Sequence, residues 1–207
     1  MITIVNYGLG NILAFANVYK SLGIPVTIAE HRGALAEATR IILPGVGAFD
    51  HAMELLMQSG MRETLDELVL GRGVPVLGVC VGMQMLAASS EEGTRAGLGW
   101  VRAVVRKFNG DGTAAGIRLP HMGWNDVVPA KQSPMLAGLE HNARFYFLHS
   151  YHVVCENTVD VLATTEYGTT FTSALHSGCI VGAQFHPEKS HHFGAQLLRN
   201  FASLPEC

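Results

Sequence analysis

The sequence contains few charged residues and no concentration of positive charge. Of its 207 residues, 15% are Asp, Glu, Lys or Arg, and the formal net charge is −3 at pH 7. Proteins that bind nucleic acids gather Lys and Arg into a patch that neutralises phosphates, and this chain has no such patch. We therefore expect no nucleic-acid partner, whereas the apolar share of 48% is enough for a packed core.

A long hydrophobic run and a leader-like N-terminus are also missing. The longest apolar stretch, residues 74–88, is interrupted by proline, glycine and glutamine and is too short to span a bilayer. Met1 leads straight into the strand-like run Ile2–Val5, without the basic segment and the small-residue cleavage site of a signal peptide. These absences predict a cytoplasmic protein that has no membrane partner.

Cysteine is scarce, and no two cysteines form a CxxC pair. Because the cytoplasm keeps thiols reduced, each cysteine is expected to be a free thiol. The four are Cys80, Cys155, Cys179 and Cys207.

Patterns typical of a cofactor or a metal are incomplete. Residues 8–11 follow a strand as a dinucleotide-binding loop does, but the third glycine of that loop is missing. The sequence spacing of three nearby histidines does not match that of a tetrahedral metal site; they are His186, His191 and His192. The sequence therefore predicts neither a metal nor an organic cofactor.

Short apolar strands alternate with amphipathic helices in the first half of the chain. Residues 11–22 place Ile12, Phe15 and Tyr19 on one helical face, and Gly23 ends that helix. An opening of the form βαβα predicts a parallel sheet between helix layers, so we expect one α/β domain over residues 1–207. The other predicted segments are strands at 2–5, 26–29, 40–43 and 75–79, and helices at 50–70, broken near residue 60, and at 82–88.

The second half has a different pattern, in which β-type segments follow one another. We expect them to extend the sheet or to add a small antiparallel part to it. A turn is predicted at 109–112, where Asn, Gly and Asp cluster. The predicted strands are 101–107, 125–128, 145–148, 161–165, 171–175 and 180–184, and a helix follows at 194–204.

The strongest local signal is Gly78-Val79-Cys80-Val81-Gly82, between a buried strand and a helix. This is the pattern of a nucleophile elbow with Cys in place of Ser, in which the glycines permit a sharp turn that lifts the side chain. The helix N-terminus behind it favours a thiolate, and the Val81 N–H becomes available as an oxyanion donor. A buried structural cysteine beside packing glycines would have the same pattern, so the motif alone does not decide.

A second signal, His186-Pro187-Glu188, follows the last predicted strand. Pro187 biases His186 towards extended backbone, where residues i and i+2 point the same way. The imidazole can then reach the Cys80 thiol while the carboxylate holds the imidazole, which is the arrangement of a catalytic triad. By itself the motif is also compatible with a polar strand end.

The third signal is Pro44-Gly45-Val46-Gly47, directly after the predicted strand at 40–43. Two glycines around one residue allow a backbone that aims N–H groups into a site. Ligands bind at the carboxyl ends of parallel strands in α/β sheets. We expect an oxyanion-binding strand here, with a plain tight turn as the alternative.

In this order and spacing, the three motifs resemble class I glutamine amidotransferases. Further segments narrow the resemblance to the family of glutaminase subunits of imidazole glycerol phosphate synthase, an enzyme of histidine biosynthesis, and the resemblance covers essentially the whole chain. These segments are His121-Met122-Gly123-Trp124-Asn125, Phe145-Tyr146-Phe147-Leu148-His149-Ser150-Tyr151 and His186-Pro187-Glu188-Lys189-Ser190.

The resemblance implies a flavodoxin-like sheet with added antiparallel strands and a cofactor-free Cys-His-Glu triad that hydrolyses L-glutamine. It also implies a heterodimer with a (βα)₈-barrel cyclase, which receives the ammonia through a tunnel. By residue, it implies the triad Cys80, His186 and Glu188, an oxyanion hole lined by Gly47 and Val81, substrate contacts from Gln84, Glu92, Ser150 and Tyr151, and a partner interface at Asn11, Trp124, Tyr146 and Lys189.

Three alternatives stay open at this point. Residues 81–87 and the pair His191-His192 look closer to paralogues that supply ammonia to a sugar-modifying synthetase in surface-polysaccharide biosynthesis. A non-catalytic subunit with the same fold is a second alternative, and the intact triad argues against it. Another hydrolase with a cysteine elbow is the third, and the His-Pro-Glu motif after a late strand argues against that one.

Overall fold

The structure is a computed structural model that describes residues 1–108 and 117–205. The strands are Ile2–Val5 (β1), Val26–Ala29 (β2), Ile41–Gly45 (β3), Val76–Cys80 (β4), Ser89–Ser90 (β5), Ala103–Lys107 (β6), His121–Asp126 (β7), Val128–Pro129 (β8), Arg144–His149 (β9), Tyr151–Cys155 (β10), Val161–Glu166 (β11), Thr170–Ser177 (β12) and Ile180–Ala183 (β13). The α-helices are Ile12–Ser21 (α1), Arg32–Leu35 (α2), Phe49–Gln58 (α3), Arg62–Asp66 (α4), Val81–Met85 (α5) and His191–Ala202 (α6). A π-helical turn covers Glu67–Gly71, and 3₁₀ turns cover Pro134–Leu136, Thr158–Asp160 and Pro187–Lys189.

One large mixed sheet runs through the molecule in the order β2-β1-β3-β4-β13-β12-β10-β6-β5. The strands from β2 to β13 are parallel, in a flavodoxin-like order. From β13 onwards the pairs β13–β12, β12–β10 and β10–β6 are antiparallel. This arrangement confirms the predicted α/β fold with a mostly parallel centre and an antiparallel extension.

The centre of the sheet is buried on both faces. Every residue of β3 and β4 is buried, as expected for parallel strands that lie between helix layers. Helix α1 contributes Phe15 and Tyr19 to the core, on the face that the sequence predicted. In register, Gly45 of β3 lies beside Cys80 of β4, so the ends of the two strands meet at one edge of the sheet.

Several segment bounds differ from the predictions. Strand β7 begins at His121, and β10 was not predicted, because both depend on pairing with distant strands rather than on local alternation. Strand β3 continues through Pro44 and Gly45, two residues beyond the predicted end at residue 43. The break at Gly60 is confirmed, since α3 and α4 lie on either side of it. The turn predicted at 109–112 lies outside the described residues.

The expectation of a free thiol at every cysteine is wrong for Cys179, which is disulfide-bonded. The prediction relied on the rarity of disulfides in the cytoplasm. Whether a particular disulfide forms depends on which cysteines the fold brings together, and the spacing of cysteines in the sequence does not reveal that. Cys80 and Cys155 are free thiols, and Cys207 lies outside the described residues. Across residues 1–108 and 117–205, no helix is long and apolar enough to cross a membrane.

Helix α5 approaches the sheet so closely that only glycine fits at the contact. A Cβ atom built on Gly82 would overlap the carbonyl oxygen of Leu43. The two strand glycines that face this helix are equally restricted. A Cβ on Gly78 of β4 would lie 2.6 Å from the carbonyl oxygen of Gly82, and a Cβ on Gly45 of β3 would overlap the Gly82 nitrogen. The three glycines therefore fix the position of the chain that follows β4.

We predict that Gly82→Ala destabilises the protein severely. Overpacking typically costs ~1–3 kcal/mol. Because the added Cβ would meet backbone atoms rather than a flexible side chain, we expect a cost of about 3 kcal/mol, which corresponds to a loss of roughly 6–12 °C in melting temperature. The matched control is Gly71→Ala, because its added Cβ would meet only the Glu67 Cγ at 4.0 Å. Thermal unfolding followed by circular dichroism measures both, and equal melting temperatures for the two variants would contradict the prediction.

Candidate active site

Cys80 occupies the last position of β4 in a strained conformation. Its φ is 55° and its ψ is −114°, a region that non-glycine residues rarely enter. Helix α5 starts at the next residue, so the Val81 N–H belongs to the first turn and has no intrahelical acceptor. The sharp turn is the predicted elbow, and it lifts the thiol above the carboxyl edge of the sheet.

His186 and Glu188 form a buried pair beside the elbow. His186 Nδ1 lies 2.9 Å from Glu188 Oε1, and both side chains are almost fully buried. The sequence predicted this pair from extended backbone through residue 188. Only His186 is extended, because Pro187–Lys189 forms a 3₁₀ turn, and the turn itself brings the carboxylate to the ring.

The backbone of His186 is fixed from two sides. Its N–H donates to the Tyr146 carbonyl oxygen at 2.8 Å, and its own carbonyl accepts from Ser190 Oγ at 2.6 Å. The same Ser190 Oγ accepts a hydrogen bond from the Tyr146 N–H at 3.0 Å. The ring therefore has little freedom to move away from Cys80.

The environment of His186 favours the imidazolium form. Burial by itself lowers the pKa of the ring, but hydrogen bonds with Cys80 and Glu188 and the charges of both partners outweigh the burial and raise the pKa to about 9. A ring that is protonated at neutral pH can pair with a thiolate and can later give up its proton.

These residues open onto a cavity of about 340 Å³, which is large enough for a small amino acid. It brings together the predicted nucleophile and base, both predicted oxyanion residues and all four predicted substrate contacts, while Glu188 lies behind His186. The lining residues are Val46, Gly47, Cys80, Val81, Gln84, Glu92, Pro120, Leu148, His149, Ser150, Tyr151, His186 and Lys189. A larger cavity of about 820 Å³ follows residues 128–141, but it contains none of the predicted site residues.

Two polar side chains in the cavity wall are held by neighbouring backbone. Gln84 Nε2 donates to the Tyr151 carbonyl oxygen at 3.1 Å. Glu92 Oε2 accepts from the Phe49 N–H at 2.8 Å, at the start of α3. Each side chain is therefore held in place before any ligand binds.

Three of the four residues predicted at a partner interface form one group at the surface. The Trp124 and Tyr146 rings are 6.3 Å apart, and Lys189 Nζ lies 5.8 Å from the centre of the Tyr146 ring. Asn11 precedes helix α1, which packs against the turn Pro187–Lys189. Next to this group, Met122 and Leu148 pair across β7 and β9 and expose their side chains.

Nearly the whole chain matches one protein family. Residues 3–204 match the family model described as glutamine amidotransferase class-I. The chain belongs to the class I glutamine amidotransferase family. The matched range includes the elbow cysteine and the His-Glu pair.

Curated members of the family are similar over their full length. "Imidazole glycerol phosphate synthase subunit HisH" of Bdellovibrio bacteriovorus is 58% identical over 99% of this chain and 100% of the relative. The protein of the same name in Leptospira interrogans is 52% identical with the same coverage. The chain therefore also belongs to the group of HisH subunits.

Solved structures support the fold. A crystal structure described as glutamine amidotransferase matches with a TM-score of 0.73 at 21% identity, over 98% of this chain and 99% of that one. The structure of PurLQS from Thermotoga maritima also matches with a TM-score of 0.73, at 17% identity, over 97% of this chain and 96% of that one. At these identities the likeness concerns the architecture alone.

The amidotransferase site includes residues that the sequence analysis did not single out. His149 lines the cavity and lies 3.1 Å from the His121 ring. Burial lowers the pKa of His149 to about 3 and that of His121 to about 4, so both are neutral at pH 7. Gln184 contacts Cys80 from the interior. All three stand inside or beside quoted motifs, but only the pairing of distant strands gives them their contacts.

We predict that protonation of His186 stabilises the fold. Its folded pKa of about 9 lies above the ordinary 6.5, so the stabilisation is fully present below about pH 6.5 and is lost as the pH rises through 9. In Glu188→Gln the pKa of His186 falls towards the ordinary value. The difference in unfolding free energy between the parent and this variant should therefore shrink from pH 6.5 to 9. Urea titrations measure the difference, and ¹⁵N NMR of the ring gives the pKa directly. A ring that titrates below pH 7 in the parent protein would contradict the prediction.

Proposed function

We propose that this chain is the glutaminase subunit of an imidazole glycerol phosphate synthase. It hydrolyses L-glutamine to glutamate and ammonia, and a cyclase partner uses the ammonia to form imidazole glycerol phosphate and AICAR in histidine biosynthesis. The observation that carries the proposal is the meeting, in one cavity, of a strained elbow cysteine with a buried His-Glu pair. The names of the full-length relatives support this choice of acceptor.

The chemistry begins with the Cys80 thiolate, which attacks the side-chain amide carbon of glutamine. The negative charge that develops on the amide oxygen is stabilised by the N–H groups of Gly47 and Val81. The intermediate collapses to a thioester as His186 gives its proton to the departing ammonia. Glu188 holds the ring and stabilises its charged form.

Water completes the cycle. His186, now neutral, takes a proton from a water molecule as the water oxygen attacks the thioester carbon. Collapse of the second intermediate breaks the carbon–sulfur bond and releases glutamate. Cys80 leaves as a thiolate beside the reprotonated His186, so the resting pair is restored without a metal or an oxidant.

The amino-acid end of glutamine is held by the opposite wall of the cavity. Gln84 donates from Nε2 to the Tyr151 carbonyl and to Gln184 Oε1, so its own oxygen is left to accept from the substrate ammonium. The Glu92 carboxylate adds a negative charge for the same group, and backbone groups of Ser150 and Tyr151 contact the carboxylate end. Specificity for glutamine then follows from two charged ends at a fixed distance from Cys80.

The exposed face around Trp124, Tyr146 and Lys189 is the proposed docking surface for the barrel cyclase, with Asn11 at its margin. Met122 is 65% exposed, and with Trp124 it adds apolar area to a polar rim, the composition expected of a protein interface. Because Lys189 also lines the cavity, docking takes place directly beside the catalytic pair.

We predict that Cys80 is the only nucleophile. A glutamine analogue that carries an electrophile should label Cys80, and Cys80→Ala should lower glutamate release at least about 10³-fold. Cys155→Ala is the control, because burial raises the pKa of the Cys155 thiol to about 11 and keeps it protonated. Mass spectrometry locates the label. Labelling at Cys155, or activity retained in Cys80→Ala, would refute the assignment.

The oxyanion strand offers a physical means of regulation. Gly47 has a φ of 82°, and both Val46 and Gly47 line the cavity. Because glycine adopts either sign of φ at little cost, the Val46–Gly47 peptide has the conformational freedom to turn. A peptide that turns its N–H away from the amide oxygen removes one oxyanion donor, which typically costs ~10²–10³ in rate. Docking that selects the productive orientation would prevent ammonia release without an acceptor.

We predict that the isolated chain is nearly inactive and that the cyclase, with its substrate analogue, stimulates glutamate release ~10²–10³-fold. Trp124→Ala should weaken the stimulation while the lone chain keeps its rate. Val159→Ala, another exposed apolar residue, is the control. Steady-state assays with and without the cyclase measure the ratio.

Two results would count against these assignments. If the lone chain already turns over glutamine at the rate of the complex, the gating is wrong. If the cyclase neither binds nor stimulates the chain, the histidine-pathway partner is wrong, and a sugar-modifying synthetase becomes the better candidate.

A further inference from the structure

Gln184 is a fully buried amide behind the catalytic sulfur. It directly follows β13, stands two residues before His186 and is 0% exposed. Buried amides need partners for both ends, and here one partner is the nucleophile. Gln184 Oε1 accepts from Gln84 Nε2 at 3.1 Å, and Gln184 Nε2 lies 3.9 Å from Cys80 Sγ.

The direction of this amide is fixed by a backbone carbonyl. Gln84 faces the Tyr151 carbonyl oxygen, which can only accept, so Gln84 must present its NH₂ group there. The same NH₂ group faces Gln184, which must therefore present its oxygen to Gln84. If Gln184 alone were reversed, its NH₂ group would face the NH₂ group of Gln84. If both amides were reversed, the oxygen of Gln84 would face the Tyr151 carbonyl oxygen. The chain of contacts leaves Gln184 one orientation, with its N–H groups towards Cys80.

A backbone carbonyl close to the sulfur acts in the opposite sense. The Leu148 carbonyl oxygen lies 3.8 Å from Cys80 Sγ and accepts a hydrogen bond only while the thiol keeps its proton. An amide N–H stabilises the charged form of the sulfur instead. The N–H group of Gln184 therefore counteracts the preference of the Leu148 carbonyl for the protonated thiol, and it does so from a position that solvent does not reach.

We propose that Gln184 is a further catalytic residue, whose amide, aimed through Gln84 by the Tyr151 carbonyl, donates to Cys80 Sγ and stabilises the thiolate. The proposal rests on the proposed function, in which Cys80 is the nucleophile. It gives a chemical role to an amide that contacts the reacting atom from the interior. It also explains why a polar side chain is kept in a fully buried position between Phe185 and β13.

The test is the pH dependence of Cys80 alkylation by iodoacetamide in the purified full chain. The thiolate is the reactive form, so the rate reports the thiolate fraction without requiring glutamine hydrolysis. Gln184→Met keeps the length of the side chain and removes the donor. Its rate at pH 7 should fall about tenfold, with the midpoint of the profile at higher pH. The alkylation rate of Gln184→Glu at pH 7 should fall further, because its carboxylate repels the thiolate.

Gln132→Met makes the same change at an exposed position outside the Cys80 cavity and should leave the profile unchanged. Thermal unfolding checks that each variant is folded. If Gln184→Met does not fold, Gln184→Leu, which also removes the donor and adds no charge, takes its place. A parental profile in whichever folded variant is used would overturn the proposal. A shifted profile supports it, and glutaminase assays on the same samples test the proposed function separately.

Discussion

Cys80 can hold its strained backbone only because α5 lies directly against β3. The contact is made by Gly82 and the Leu43 carbonyl, and any side chain at position 82 would separate helix from sheet. With the helix in place, the chain must turn sharply after β4, which lifts the thiol and exposes the first N–H groups of the helix. The end of β3 lies alongside, so Gly47 reaches the same cavity. The predicted nucleophile and the predicted oxyanion residues therefore depend on a single packing contact.

The second half of the site depends on a different element, the two-stranded ribbon of β7 and β9. Strand β9 carries Tyr146, whose backbone accepts from the His186 N–H and donates to Ser190. The ribbon also carries the exposed Trp124 and Met122 of the proposed docking surface. A shift of the ribbon would consequently be transmitted to the catalytic histidine through hydrogen bonds rather than through a long path. The proposed docking surface and the backbone that holds His186 therefore belong to one structural element.

The sequence was most informative where function depends on local backbone. The elbow around Cys80 and the spacing of His186 and Glu188 are local, and the structure brings these residues together as expected, although a 3₁₀ turn rather than a strand does it. The start of β7 and the contacts of Gln184 were missed. They arise from strand register and from pairs such as Gln84 with Gln184, which are 100 residues apart, and no local pattern encodes them.

The charge distribution in the cavity explains why a buried histidine remains protonated there. Burial opposes the charge on His186, so the pKa rises only because Cys80 and Glu188 favour the charged ring together. His149 lines the same cavity, but burial lowers its pKa, and the positive charge of His186 lowers it further. Burial therefore acts on both rings in the same sense, and His186 keeps its charge because it has Cys80 and Glu188 as partners.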